Sequence, residues 1–134
     1  MTRTRHWDVL LAVAAGGALG SLARYGLGLA LPSPAGVATV LANVAGCLAL
    51  GALMAILSLR ARSPRLLRPF LGVGVLGGFT TFSTYVLDTL SAADGGRLVA
   101  SFAYAAGSVF ASLLAVVVGI CLARLAARGK GTAP

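Results

Sequence analysis

Asn43 and three hydroxyl residues, Tyr104, Ser108 and Ser112, stand inside otherwise apolar runs of this chain. The hydroxyls fall at i, i+4 and i+8, so they share one helix face. Ser101 lies three residues earlier, near that face. An asparagine amide and aligned hydroxyls are neutral hydrogen-bond donors, suited to a small polar solute or an anion. Each also has a plain structural reading. A lone asparagine in a membrane helix can bond a neighbouring helix, the preferred reading of Asn43 on its own. A serine can return its proton to the i−4 carbonyl.

Two further features carry chemistry. Arg24 is the one charge well inside an apolar run. Near a bilayer centre such a charge costs about 2.5 kcal/mol or more, which makes it a functional candidate by default. It is read either as an interface anchor beside Tyr25 or as a charge that draws anions into a vestibule. The second feature is GGFTTFSTY, residues 77–85, in the middle of the third apolar run. Its glycines could serve close packing alone, or its hydroxyls could bond back onto a continuous helix. Alternatively the helix breaks, with Gly77-Gly78 ending one half and Thr80-Thr81 starting the next. A break exposes carbonyls that suit a cation and amides that suit an anion. It is tolerated only where protein or a water-lined cavity satisfies the freed groups. Phe79, Phe82 and Tyr85 recur at i, i+3 and i+6. Such a stripe is either packing or a row of ring edges whose positive quadrupole can face an anion.

These residues must be positioned by membrane helices. The chain has 134 residues, of which 58% are hydrophobic and 10% charged, and its mean hydropathy is +0.94. Soluble domains carry about 25% charged residues. Four long apolar runs are present, each close to the roughly 20 residues that a span needs. The expected fold is one all-α transmembrane domain, residues 1–134, with spans at about 9–31, 36–59, 70–90 and 98–125. Asp8 is placed to cap the first span and Trp7 suits the interface. Arg3 and Arg5 before an apolar run, with Ala12-Val13-Ala14, resemble a signal peptide. The run continues to Leu31, however, so a retained first helix is expected. Pairs of small residues four apart, Gly16/Gly20 and Gly74/Gly78, and the stripe Gly107, Ala111, Ala115, Gly119 predict close helix packing.

Composition also excludes. The net charge of +8 comes mainly from basic residues flanking the spans, a pattern of membrane orientation rather than nucleic-acid binding. The N-terminal tail, the loop with Arg60, Arg62, Arg65 and Arg68, and the C-terminal tail share one side. That side holds nine basic residues and the other only Arg97, which predicts cytoplasmic termini in a plasma (inner) membrane. Cys47 and Cys121 make no CxxC pair and read as packing residues. His6 is alone among histidines, so a histidine-based metal site is not expected. With no nucleophile–base or metal constellation, an enzyme is not expected.

The motifs GGALGSLARYGLG (16–28), TVLANVAGCLALG (39–51) and GVLGGFTTFSTY (74–85), followed by Tyr104, Ser108 and Ser112, resemble the Fluc/CrcB fluoride channels over nearly the whole chain. The resemblance implies an antiparallel dimer enclosing two narrow pores that pass fluoride passively, reject chloride and lower cytoplasmic fluoride. It implies a third helix broken at Gly77 to Thr80. Backbone carbonyls of Gly77 and Thr80 from both subunits would hold a structural sodium ion. Asn43, Phe82, Tyr85, Tyr104, Ser108 and Ser112 would line the fluoride pore, and Arg24 would sit at the vestibule. Tyr85 departs from the family, which typically has phenylalanine there.

The charge bias adds an expectation. An antiparallel homodimer needs one sequence inserted both ways, whereas nine against one favours a fixed orientation. Either dual insertion occurs despite the bias, or the partner is a related, oppositely oriented subunit. Two other classes compete. A four-span proton-coupled multidrug exporter would need a mid-span carboxylate; Asp8, Asp88 and Asp94 all fall at the expected span ends or in a loop, and glutamate is absent. A noncatalytic membrane assembly protein is supported only by the packing glycines.

Overall fold

The structure is a computed structural model that describes residues 4–32, 36–60 and 62–129. Helix α1 is Thr4–Ala30 and α2 is Val37–Leu59. Helix α3 is a π-helical segment, Arg68–Leu76, that runs on into Gly77–Phe79. Helix α4 is Ser83–Asp94 and α5 is Leu98–Gly129. No strand occurs among the described residues. Among the described residues four stretches are long and apolar enough to cross a membrane: His6–Ala30, Val37–Leu59, Arg68–Asp94 and Leu98–Gly129. The chain is a multi-pass membrane protein whose third span consists of α3 and α4.

Helix α2 lies along α5, α1 along α3, and α4 rests on α5. Among the described residues no large side chain is fully buried, and the buried apolar side chains are Ala42, Ala55 and Ala115. Lipid gives no hydrophobic drive for helix association, so backbones must approach closely through small residues. The predicted glycine pairs lie along one contact between α1 and α3, where Gly16 meets Gly74 directly. A Cβ on Gly20 would run into the Val75 carbonyl, and one on Gly78 would lie 2.5 Å from the Gly17 carbonyl. The stripe on α5 divides. Ala115 and Gly119 are buried, with Gly119 against the Leu48 carbonyl, while Gly107 meets nothing within 4 Å.

Several boundaries differ from expectation. Helix α1 begins at Thr4, so Asp8 lies a turn inside it and pairs with Arg65 at 3.4 Å instead of capping. Helix α4 continues to Asp94, and the turn that follows uses Gly96 at φ +73°. Asp88 therefore lies within the third span, roughly 9 Å from its end at 1.5 Å per residue. Pro69 stands in the first turn of α3, where its missing N–H has no partner to lose. Of the residues behind the other expectations, Arg3, Ser33, Pro34 and Lys130 lie outside the described residues.

Candidate functional site

The break falls later than Gly77-Gly78. Phe79 ends the first half, Thr80 is extended (φ −78°, ψ 156°), and the second half starts at Ser83. A continuous helix would bond the carbonyls of residues 77–80 to the amides of residues 81–84. Here the Thr81 amide donates to Asn43 Oδ1 at 2.7 Å. The Thr84 amide donates to Thr81 Oγ1 at 3.3 Å. The Gly77 and Thr80 carbonyls thus lose their helical donors. The Gly78 carbonyl is held from α1, by Arg24 Nε at 3.2 Å and by the Ser21 hydroxyl at 3.5 Å. The Thr80 hydroxyl bonds back to the Leu76 carbonyl at 3.0 Å.

Asn43 grips Thr81 from both sides, since its Nδ2 also donates to the Thr81 carbonyl at 2.9 Å. This is the interhelical hydrogen bond expected of a lone membrane asparagine. One Nδ2 hydrogen remains, because the amide carries two donors, and Asn43 lines an adjoining cavity of about 490 Å³. That cavity is also lined by Gly77, Thr80, Phe82, Tyr85, Ser108 and Ser112, and among the described residues no charged one borders it. A second cavity of about 260 Å³ has Arg24, Thr39, Thr81 and Thr84 on its wall. The two cavities flank the break and share Thr81.

Helix periodicity does not survive the break, so the aromatic stripe divides. Phe79 turns toward α2 and lies 3.3 Å from a Cβ built on Gly46. Phe82, 77% exposed, and Tyr85 face the first cavity. Their ring centroids are 5.6 Å apart, and Tyr85 stacks on Tyr104 at 6.0 Å. The Tyr85 hydroxyl donates to the Ala105 carbonyl at 3.3 Å. Tyr104 stands apart from the cavity wall. Its hydroxyl donates to Asp88 Oδ2 at 3.1 Å, close to Gly36, whose φ is +67° and whose missing Cβ leaves room for both groups. Ser101 is buried and donates to the Thr89 carbonyl at 2.7 Å.

The arrangement thus brings together seven of the nine predicted positions, Gly77, Thr80, Asn43, Phe82, Tyr85, Ser108 and Ser112. Arg24 lies across the break and Tyr104 beyond Tyr85. Sequence reasoning missed two participants. Thr81 is the hub of the break; a threonine just ahead of α4 is a residue type favoured where helices begin. Cys47 lines the cavity one turn after Asn43, as Ser112 does from α5; its i+4 spacing from Asn43 was the available signal.

Freed neutral carbonyls fit a small hard monovalent cation, and broken membrane helices offer such a site. No carboxylate borders the cavity that Gly77 and Thr80 line; a site for a divalent cation commonly includes carboxylates. One chain offers two such carbonyls, and Gly77 is exposed.

Fold and site together define a small four-span membrane protein with a helix broken beside a largely apolar cavity that carries a few neutral polar groups. Residues 11–120 match the family model described as "CrcB-like protein, Camphor Resistance (CrcB)". The chain is 46% identical over 121 residues to "Fluoride-specific ion channel FluC 2" of Nocardia farcinica (strain IFM 10152), covering 88% of this chain and 86% of that one. It is 48% identical over 126 residues to the protein of the same name from Thermobifida fusca (strain YX), covering 92% and 87%. It is 44% identical over 119 residues to "Fluoride-specific ion channel FluC 1" of Streptomyces coelicolor (strain ATCC BAA-471 / A3(2) / M145), covering 87% and 77%. The chain belongs to the CrcB family.

Proposed function

We propose that this protein is a passive fluoride-selective ion channel, not an enzyme, and that it lowers cytoplasmic fluoride. The observation that carries the reading is the cavity at the break, whose polar wall consists of neutral groups and aromatic rings. Fluoride is small and strongly hydrated, so a pore must replace its water with closely placed donors. The second Nδ2 hydrogen of Asn43 and the Ser108 and Ser112 hydroxyls are such donors, and the rings of Phe82 and Tyr85 present positive edges. A full charge in the narrow region would hold the ion too firmly, since conduction needs sites weak enough to leave. Arg24 stays on the far side of the break, at the vestibule. The Tyr104 proton is committed to Asp88, so Tyr104 serves as the wall that Tyr85 stacks on. It meets the ion only by rotating away from the carboxylate.

The working unit in this reading is an antiparallel dimer with two pores, in the plasma membrane, with the termini cytoplasmic. Carbonyls of Gly77 and Thr80 from both subunits hold a central sodium ion, which supplies a fixed positive charge. The basic bias of nine residues to one supports a fixed orientation and a related, oppositely oriented partner. Relatives numbered 1 and 2 are compatible with paired subunits. Fluoride efflux from liposomes, followed with a fluoride-selective electrode, tests the activity. Release without a proton gradient supports a passive channel; strict dependence on a gradient contradicts it. Reporter fusions at both termini test orientation, and robust efflux from this chain alone counts against an obligatory second subunit.

A further inference from the structure

Each candidate sodium ligand immediately precedes a residue pinned from a neighbouring helix. Thr80 precedes Thr81, which Asn43 of α2 holds through both its backbone groups. Gly77 precedes Gly78, whose carbonyl receives Arg24 Nε and the Ser21 hydroxyl from α1. The second pin is needed because glycines rotate more freely than any other residue. Sterics do not fix Gly77: the nearest atom to a Cβ built there is 3.9 Å away.

The sequence delivers Arg24 to this place. Gly16, Gly20 and Arg24 fall at i, i+4 and i+8, on one face of α1. Gly16 and Gly20 seat that face directly on the α3 backbone, at Phe70, Gly74 and Val75. Arg24, one turn further on, then meets the orphaned Gly78 carbonyl at the end of α3.

We propose that Arg24 is a positioning residue for the cation site: its Nε–H, not its charge, orients the Gly77 carbonyl by holding that of Gly78. This rests on the sodium-binding dimer set out above and assigns Arg24 a task distinct from attracting anions.

Two substitutions separate donor from charge. Gln places its side-chain nitrogen at the same bond count from Cα as Arg Nε and is neutral. Lys puts a methylene there and keeps the charge. Thermal melting of the purified full-length protein is measured in sodium chloride and in N-methylglucamine chloride. In the wild type sodium raises Tm. Arg24→Gln keeps at least half of that rise, and Arg24→Lys loses most of it. Retention by Lys with loss in Gln makes the charge decisive and overturns the proposal, as does retention by both or loss by both. A wild type without a sodium-dependent rise defeats the sodium site itself. Amide hydrogen exchange at residues 77–82 then still judges the brace. Faster exchange in Arg24→Lys than in Arg24→Gln upholds it, and equal rates overturn it.

Discussion

The two halves of the third span are built on opposite plans. Helix α3 is welded to α1 by glycines, with Gly74 against the Gly16 backbone and Gly78 against that of Gly17. Helix α4 has no buried residue at all. Side-chain hydrogen bonds tie it to α5: Tyr85 to the Ala105 carbonyl, Ser101 to the Thr89 carbonyl and Tyr104 to Asp88. The first half works through its backbone, and close packing fixes where its freed carbonyls lie. The second half works through its side chains, which need an open face toward the cavity. A continuous helix would have to serve both tasks with one packing scheme.

This contrast is best broken from the α3 side. Gly20→Val should have the largest effect. A Cβ there collides with backbone atoms of Val75 and Phe79, which cannot yield as a flexible side chain does. The expected result is loss of folded protein, read by size-exclusion chromatography. Asn43→Ala should come next. It leaves the Thr81 amide and carbonyl unpartnered, at roughly 1–3 kcal/mol for each orphaned group. The lowered stability should be visible in melting, and fluoride flux should be abolished.

A matched pair sharpens the comparison within α3 itself. Gly78→Ala places a Cβ 2.5 Å from the Gly17 carbonyl, whereas Gly77→Ala meets nothing closer than 3.9 Å. Overpacking of this kind costs about 1–3 kcal/mol. The Tm should therefore fall for Gly78→Ala and change little for Gly77→Ala. Equal losses would show that α3 is not held where its backbone touches α1.

The smallest effect belongs to α4. Tyr85→Phe removes one hydrogen bond, to a carbonyl at 3.3 Å, worth about 0.5–1.5 kcal/mol. The ring still faces the cavity, so liposome efflux should continue. A dead Tyr85→Phe channel would make the hydroxyl part of the permeation mechanism.

How much of this the sequence revealed follows from the same physics. Hydropathy and small-residue spacing are local signals. They announced four spans and the glycine pairs, although only the structure joins Gly16 to Gly74, Gly20 to the Val75 carbonyl and Gly78 to Gly17. The helix break was one of three readings of GGFTTFSTY, and its position came out late by a few residues. The reason is tertiary: Asn43, from a distant helix, captures the Thr81 amide, and spacing within the motif does not report that. Phe79 was assigned to a stripe with Phe82 and Tyr85 on helical periodicity, which the extended Thr80 interrupts. Tyr104, Ser108 and Ser112 do share one helix, but only the serines line the cavity, because Asp88 draws Tyr104 aside.

The central claim is that neutral donors beside the break select fluoride. Its most direct test loads liposomes with fluoride and chloride at equal concentration and follows both ions with selective electrodes. The vesicles carry this chain, alone and together with a related subunit of opposite charge bias. The account predicts that fluoride leaves and chloride stays in at least one of the two preparations. Release of both ions at similar rates, or of neither in both preparations, would contradict it.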